Sequence, residues 1–305
     1  MRKGSHTSLV GAPQGAISCV HQRHYRALRR SYGRSTPQRG FTLIEMVIVI
    51  TMLGALLALG GVFIVQPFEA YEDVARRARL VDVAETAMMR MTRETRMALP
   101  NSVRITNSGS RYALEFLATA TGGRYRQQVD DTGAGDPLDR TLSADSFDVL
   151  GGLQGAVAVG SRLVIYNTGD AGLDAYNGDN IAPITAVGAA SLSFDKGAAP
   201  AFPADSPQAR FYVVTGPVSF VCDAASGTLR RYAGYPIQAT QPVSDAALGG
   251  GGVLLAANVG NCGAATFAYN DDGGSRNGLV TFRLTITEDG ERVSLLQQAH
   301  VLNIP

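Results

Sequence analysis

Residues 39–65 read RGFTLIEMVIVITMLGALLALGGVFIV, and this stretch decides how the rest of the chain is organised. The 25 residues that follow Gly40 contain a single charged residue, Glu45. A helix of that length rises about 37 Å, which is enough to cross a bilayer core of about 30 Å. A carboxylate within hydrocarbon costs about 2.5–3.5 kcal/mol and usually has a partner and a purpose. The stretch therefore predicts a membrane helix in which Glu45 has a role, although hydropathy alone would also fit a plain anchor.

The motif R-G-F-T-L-I-E, followed by an apolar run, resembles the class III signal of type IV prepilins and pseudopilins. In that family a membrane peptidase cuts after the glycine, here Gly40, and methylates the new amino terminus, here Phe41. The family also has a glutamate at the fifth mature position, here Glu45. The resemblance implies that Glu45 is an assembly residue, which pairs with the amino terminus of a neighbouring subunit inside a helical bundle. A carboxylate that snorkels towards the cytoplasmic face is the alternative.

Residues 1–40 differ in composition from the rest of the chain and are predicted to be a cleaved leader. They hold eight Lys and Arg and no Asp or Glu. A basic segment before a membrane span stays cytoplasmic, although a nucleic-acid-binding arm is a competing interpretation. Without the leader, the chain has 19 basic and 26 acidic residues, a formal net charge of −7. The predicted mature protein therefore lacks the basic surface that binds nucleic acid.

Three further segments follow the leader. Residues 41–66 are predicted to form the transmembrane and assembly helix, and residues 67–99 its amphipathic continuation, with a possible kink at Pro67. Leu99-Pro100-Asn101 is the predicted stop, because proline cannot continue a helical hydrogen-bond ladder. The predicted buried face recurs at three- and four-residue steps and comprises Tyr71, Val74, Ala78, Val81, Ala84, Met88, Met91 and Leu99.

Residues 100–305 are predicted to form a β-rich globular head. Runs with β-branched and aromatic residues predict strands over 112–117, 162–166, 191–194, 211–214, 219–222, 229–235 and 266–269. The clearest pair lies at the end of the chain, where two alternating runs flank Glu288-Asp289-Gly290-Glu291. Asp-Gly between such runs is a strong hairpin signal. The fold class is therefore α+β, and the resemblance implies a pilin-like lollipop with an antiparallel sheet in the head.

Two cysteines remain after the leader, Cys222 and Cys262. An even number of cysteines in an exported domain favours a disulfide, with two buried free thiols as the alternative. Closing a loop of about 40 residues would stabilise the fold by roughly 3–4 kcal/mol.

The sequence carries little sign of catalysis. His300 is the only histidine after the leader, and no phosphate-binding loop, C-x-x-C pair or zinc-ligand spacing is present. Two loops hold oxygen ligands of the kind that Ca²⁺ prefers, but Asx-turns explain them equally well. These residues are Asp170, Asp174, Asn177 and Asp179 in the first loop, and Asn270, Asp271 and Asp272 in the second. We expect no enzymatic activity, no metal and no cofactor.

Motifs spread along the chain extend the resemblance to the minor pilin-like proteins of mannose-sensitive haemagglutinin (MSHA) type IV pili. They are ALPNSVR (98–104), LEFL (114–117), GGRYR (122–126), AYNGDN (175–180), RFYVV (210–214) and HVLNIP (300–305).

The resemblance implies incorporation at a pilus tip or priming complex. The implied partners are the prepilin peptidase and methyltransferase, other major and minor pilins, and the inner-membrane assembly machinery. The implied location is a single inner-membrane pass with a periplasmic head, followed by the pilus. A tip adhesin, favoured by exposed aromatic residues in loops 122–140 or 167–180, and a type II secretion pseudopilin are the alternatives.

Overall fold

The structure is a computed structural model that describes residues 40–270 and 277–305, and for residues 61–70 it describes the backbone alone. The predicted leader lies outside these residues, except for Gly40. One α-helix, α1 (Leu43–Thr95), precedes twelve strands in the described ranges. The strands are β1 Arg104–Ser108, β2 Arg111–Tyr125, β3 Ala144–Leu150, β4 Arg162–Val164, β5 Ile181–Val187, β6 Ser191–Asp195, β7 Arg210–Asp223, β8 Thr228–Ala233, β9 Val253–Ala256, β10 Phe267–Asn270, β11 Asn277–Glu288 and β12 Glu291–Leu302. The α+β class predicted from the sequence is confirmed.

The chain divides into two compact units at Gly61 and Val62. Within the first unit, the described residues are Gly40 to Gly61, and nearly all of them are helical. The second unit contains the remainder of α1 and all the described strands. The helical backbone continues through Pro67.

The C-terminal end of α1 lies earlier than the sequence predicts. The helix ends at Thr95 rather than near Leu99, and its last turn tightens as the Ala98 amide bonds to the Thr95 carbonyl. The Leu99 amide then donates to the Leu117 carbonyl of β2 at 2.8 Å. Because pairing with β2 satisfies the backbone here, the chain leaves the helix before it reaches Pro100.

Nine strands form one antiparallel sheet in the order β1-β2-β3-β6-β5-β4-β7-β8-β9. β2 also pairs with β7, and this additional pairing closes six of the strands into a ring. All six contribute buried side chains to one core cluster. Its aromatic members are Tyr125, Phe147, Phe194, Phe202 and Phe211. Phe147 and Phe211 meet edge to face with ring centroids 5.6 Å apart, a favoured aromatic geometry.

A three-stranded sheet in the order β10-β11-β12 forms a second layer. Its apolar face shares a core with α1, β2 and β7. The helix contributes Leu80, Ala84, Ala87, Met88 and Met91. The predicted packing of Ala84, Met88 and Met91 is therefore confirmed, whereas Tyr71, Val74 and Ala78 are exposed. The predicted helical face was thus wrong at these three positions, which belong to none of the buried clusters of the described residues.

β11 and β12 form the hairpin that the alternating sequence predicts. Glu288 pairs with Glu291, and the two residues between them have positive φ angles, 49° at Asp289 and 85° at Gly290. This is the backbone of a type I′ turn, which matches the twist of the flanking strands.

Two other predictions about strands need correction. The runs 211–214 and 219–222 belong to one strand, β7, which passes through Gly216 and Pro217. The pairing with β2 is irregular at this point, and such an irregularity allows a proline within a strand. The strands β1, β3, β5 and β9 were not predicted from the sequence.

Candidate functional site

The predicted cleavage site lies just before the first turn of α1. Gly40 and Phe41 are exposed and non-helical, and Thr42 caps the helix. The Thr42 Oγ1 accepts a hydrogen bond from the Glu45 amide at 3.3 Å, while the Thr42 carbonyl accepts one from the Met46 amide at 3.2 Å. T-L-I-E is thus a capping-box sequence, a signal that could have placed the start of the helix from the sequence alone. The cap leaves the Gly40–Phe41 bond outside the helix.

Glu45 lies in the first turn of α1 with its side chain exposed. A negative charge is favourable there, because the amino-terminal end of a helix carries a partial positive charge. No basic group of the described chain forms an ion pair with Glu45. Its carboxylate is therefore open to a partner from outside the described chain.

The residues after Glu45 form the helical stretch that could cross a membrane. Leu43–Gly60 is long and apolar enough to do so, and none of this window is buried within the protein. Its one hydroxyl side chain, Thr51, donates to the backbone carbonyls of Val47 and Ile48, both at 2.9 Å. Such back-bonding satisfies a polar group without solvent.

Cys222 and Cys262 form the disulfide that the sequence predicts, with their Cα atoms 5.3 Å apart. Cys222 is buried in β7, while Cys262 precedes β10 and packs against the same core. The bond therefore links the nine-stranded sheet to the segment that enters the three-stranded sheet.

A charge pair between a half-buried arginine and a fully buried glutamate lies where β1 meets β2. Arg104 and Glu115 are directly opposite in register, and the Arg104 Nε lies 2.7 Å from the Glu115 Oε2. The Tyr235 hydroxyl donates to the other carboxylate oxygen at 3.0 Å, and the Arg104 guanidinium stacks on the Tyr176 ring. Burial raises the pKa of the Glu115 carboxyl, and Arg104 opposes that rise. The pair was not predicted from the sequence, because its signal depends on the register of β1 against β2.

A second polar cluster borders a cavity of about 330 Å³ beside β8. The Arg111 guanidinium donates two hydrogen bonds to the Asp245 carboxylate, at 3.0 and 2.8 Å, and the Tyr232 hydroxyl donates a third. The bonds from Arg111 and Tyr232 lower the pKa of Asp245 to about 2. Burial, with help from Asp245, raises the pKa of Tyr232 to about 12.

The first loop considered for calcium uses two of its acidic side chains, those of Asp174 and Asp179, in turns. The two carboxylate oxygens of Asp174 accept bonds from the Tyr176 amide and the Asn177 side chain, at 2.9 and 3.2 Å. The Asp179 carboxylate accepts one from the Asp174 amide at 3.2 Å. Among the described residues no group of three His, Cys, Asp or Glu is arranged to hold a metal ion.

The second loop considered for calcium and His300 are the remaining predicted positions. Asn270 ends β10, and the remaining acidic positions of the second loop, Asp271 and Asp272, lie outside the described residues. His300 is exposed on β12, opposite Leu279 of β11.

Comparison with known proteins bears on the amino-terminal segment. The family model of the prokaryotic N-terminal methylation motif matches residues 35–61. No curated protein and no solved structure matches the chain. The motif and the exposed apolar helix together support the class of type IV prepilins and pseudopilins. That class implies processing by a prepilin peptidase and single-pass anchoring in the inner membrane.

Proposed function

We propose that this protein is a minor pilin-like structural and assembly subunit of an MSHA-type pilus, incorporated at the tip or in the priming complex. The methylation motif supports the broader class. The finer assignment rests on the six motifs between residues 98 and 305, which resemble the MSHA pilus biogenesis protein MshO. The proposed partners are the prepilin peptidase, the major and minor pilins, and the inner-membrane assembly machinery.

The proposal rests on two features that occur together. One is an accessible cleavage site, and the other is a carboxylate that has no basic partner in the described chain. Cleavage after Gly40 places a charged amino group on Phe41, one helical turn before Glu45. In lipid, the amino terminus of a neighbouring subunit would neutralise Glu45, and Glu45 would neutralise it in turn. A plain anchor has no need for this arrangement.

The proposed orientation places the amino terminus in the cytoplasm and the head in the periplasm, because eight basic residues precede the apolar segment. We propose a structural role without catalysis or a cofactor. An adhesin would be favoured by exposed aromatic residues in the loops at 122–140 or 167–180. The tyrosines in these ranges, Tyr125 and Tyr176, are both buried.

Mass spectrometry of the protein from cells with and without the prepilin peptidase tests the proposal. We expect an N-methylated Phe41 terminus only when the peptidase is present. Gly40→Ala should at most slow the cleavage, whereas a bulkier residue at this position should abolish it. Immunogold labelling should then place the protein at pilus tips. An intact leader in assembled pili, or labelling along the whole filament, would contradict the proposal.

A further inference from the structure

The strand β12 has a long free edge. It pairs with β11 along all twelve of its residues, and the register has no irregularity. No described strand pairs with its other side. In an antiparallel pair, every second residue directs its N–H and C=O groups away from the partner strand. β12 therefore presents an uninterrupted row of backbone donors and acceptors.

The other edges of the two sheets are built differently. β1 has five residues, β10 has four, and β9 has four with an irregular register. Short or irregular edge strands are the usual protection against unwanted pairing. β12 differs from them, since it is long, contains no proline or lysine, and carries no acidic or basic group over residues 293–299.

A groove runs beside this edge, between α1 and β12. It has a volume of about 370 Å³ and is lined by Glu85, Met88, Met89, Leu295, Leu296 and Gln297. Met89 is 58% exposed and Leu296 is 55% exposed, although both are large apolar residues. The groove therefore offers exposed apolar side chains beside the free edge of β12.

We infer that the free edge of β12 and the adjoining groove, together the β12 edge site, bind an extended segment of a partner protein. The backbone row selects a β-strand, because only an extended chain offers donors and acceptors at the matching spacing. Residues 293–299 of the edge are uncharged, and Met89 and Leu296 expose apolar side chains beside it, so the site favours a segment with apolar residues at alternate positions. A second copy paired through its own β12 is the alternative occupant that the experiment separates from such a segment.

The experiment uses the full chain in detergent micelles and, as a probe, an acetylated peptide of alternating Thr and Val. Hydrogen exchange of the residues 293–298 is followed by mass spectrometry with increasing peptide. We expect about tenfold slower exchange at saturation, limited to the amides directed away from β11. The same peptide with a central proline should give no protection, because it cannot complete the ladder.

Two variants localise the binding. Leu296→Lys places a charge in the site and should weaken peptide binding at least about tenfold, as edge lysines oppose strand pairing. Leu142→Lys, at a comparably exposed position between β2 and β3 and therefore outside the site, should bind the peptide as the unmodified chain does. The mapped Cys222–Cys262 disulfide and unchanged exchange in β7 verify the fold of each variant.

Met89→Glu leaves β12 unchanged and should also weaken peptide binding. This variant keeps the inference testable if Leu296→Lys fails to fold. Unchanged exchange at saturating peptide would overturn the inference. Amides that are protected without peptide in a dimeric chain would assign the edge to a second copy and would also overturn it.

Discussion

The amino-terminal half of α1 and the ring of six strands in the head contain the same kinds of apolar side chain, but these side chains are exposed in the helix and buried in the ring. Leu57 is 70% exposed, whereas Leu163 and Leu192 of the ring are fully buried. Burying one such side chain contributes about 1.5–3 kcal/mol. The ring obtains this contribution from its own strands. The helical segment must obtain it from lipid or from other helices, so it is complete only in a membrane or an assembly.

The two regions also differ in whether a carboxylate has a partner within the same chain. Glu115 of the head is buried and has Arg104 and Tyr235 as partners within the same chain. Glu45 has no basic partner in the described chain. The buried carboxylate of the head is thus compensated internally, whereas the carboxylate of the helix is left for another molecule to neutralise. Three substitutions of charged residues test this contrast, and replacement of the disulfide tests how the head is held together.

Glu45→Leu should have the largest effect, and the effect should be on assembly alone. Membrane insertion and cleavage should continue, because the change removes a group that is costly in lipid. Association should fall more than a hundredfold, because a partner charge left uncompensated costs about 3–5 kcal/mol. Cross-linking to other pilins and counts of pili per cell measure the effect, with Met46→Leu as the control. Normal cross-linking in Glu45→Leu would show that the segment acts only as a membrane anchor.

Glu115→Gln should destabilise the head by about 3–5 kcal/mol, because Arg104 would lose the carboxylate that compensates its charge. Urea denaturation of the full chain in detergent measures the loss. The matched control is Glu288→Gln, which removes the exposed ion pair with Arg79 and should cost less than about 1 kcal/mol. Equal losses in both variants would show that burial does not distinguish the two pairs. The double variant Arg104→Met, Glu115→Leu should recover part of the stability.

Replacing both Cys222 and Cys262 with alanine should lower the free energy of unfolding by about 3–4 kcal/mol, because the disulfide closes a loop of about 40 residues. Denaturation of the purified protein with and without reductant measures the same quantity in the native chain. Cys19 belongs to the predicted leader, so its replacement should leave the stability of the mature protein unchanged.

Arg111→Met should have the smallest effect, about 1 kcal/mol at neutral pH, because its partner Asp245 is more than half exposed and its second partner, Asp223, keeps the hydrogen bond from Ser110. The pKa of Asp245 is lowered to about 2 in the folded protein, from an ordinary value of 3.8. The stability from this interaction is therefore present above pH 4 and is lost as the pH falls towards 2. Melting temperatures over this pH range should fall less steeply in Arg111→Met, while Asp131→Asn should match the unmodified chain.

The sequence predicts best what depends on neighbouring residues. The β11–β12 hairpin follows from alternation and an Asp-Gly turn, and the apolar helix follows from its composition. The ring does not, because the pairing of β2 with β7 joins segments that lie far apart in sequence. The polar residues of β1 (RITNS) gave no strand signal. Tyr71 and Val74 fit a helical period, but periodicity does not reveal where a helix has something to pack against.

The closure of the β-ring bears on how the head folds. β2 (Arg111–Tyr125) pairs with β7 (Arg210–Asp223), although β3 to β6 lie between them in the sequence. Non-local pairings of this kind form slowly. The other core joins the earliest element, through Met88 and Met91 of α1, to the last strand, through Ala299 and Val301. A nascent chain therefore lacks a complete core until β12 has emerged. Folding of the head is a late, whole-chain event, and its rate is set by topology rather than by the helix that precedes it.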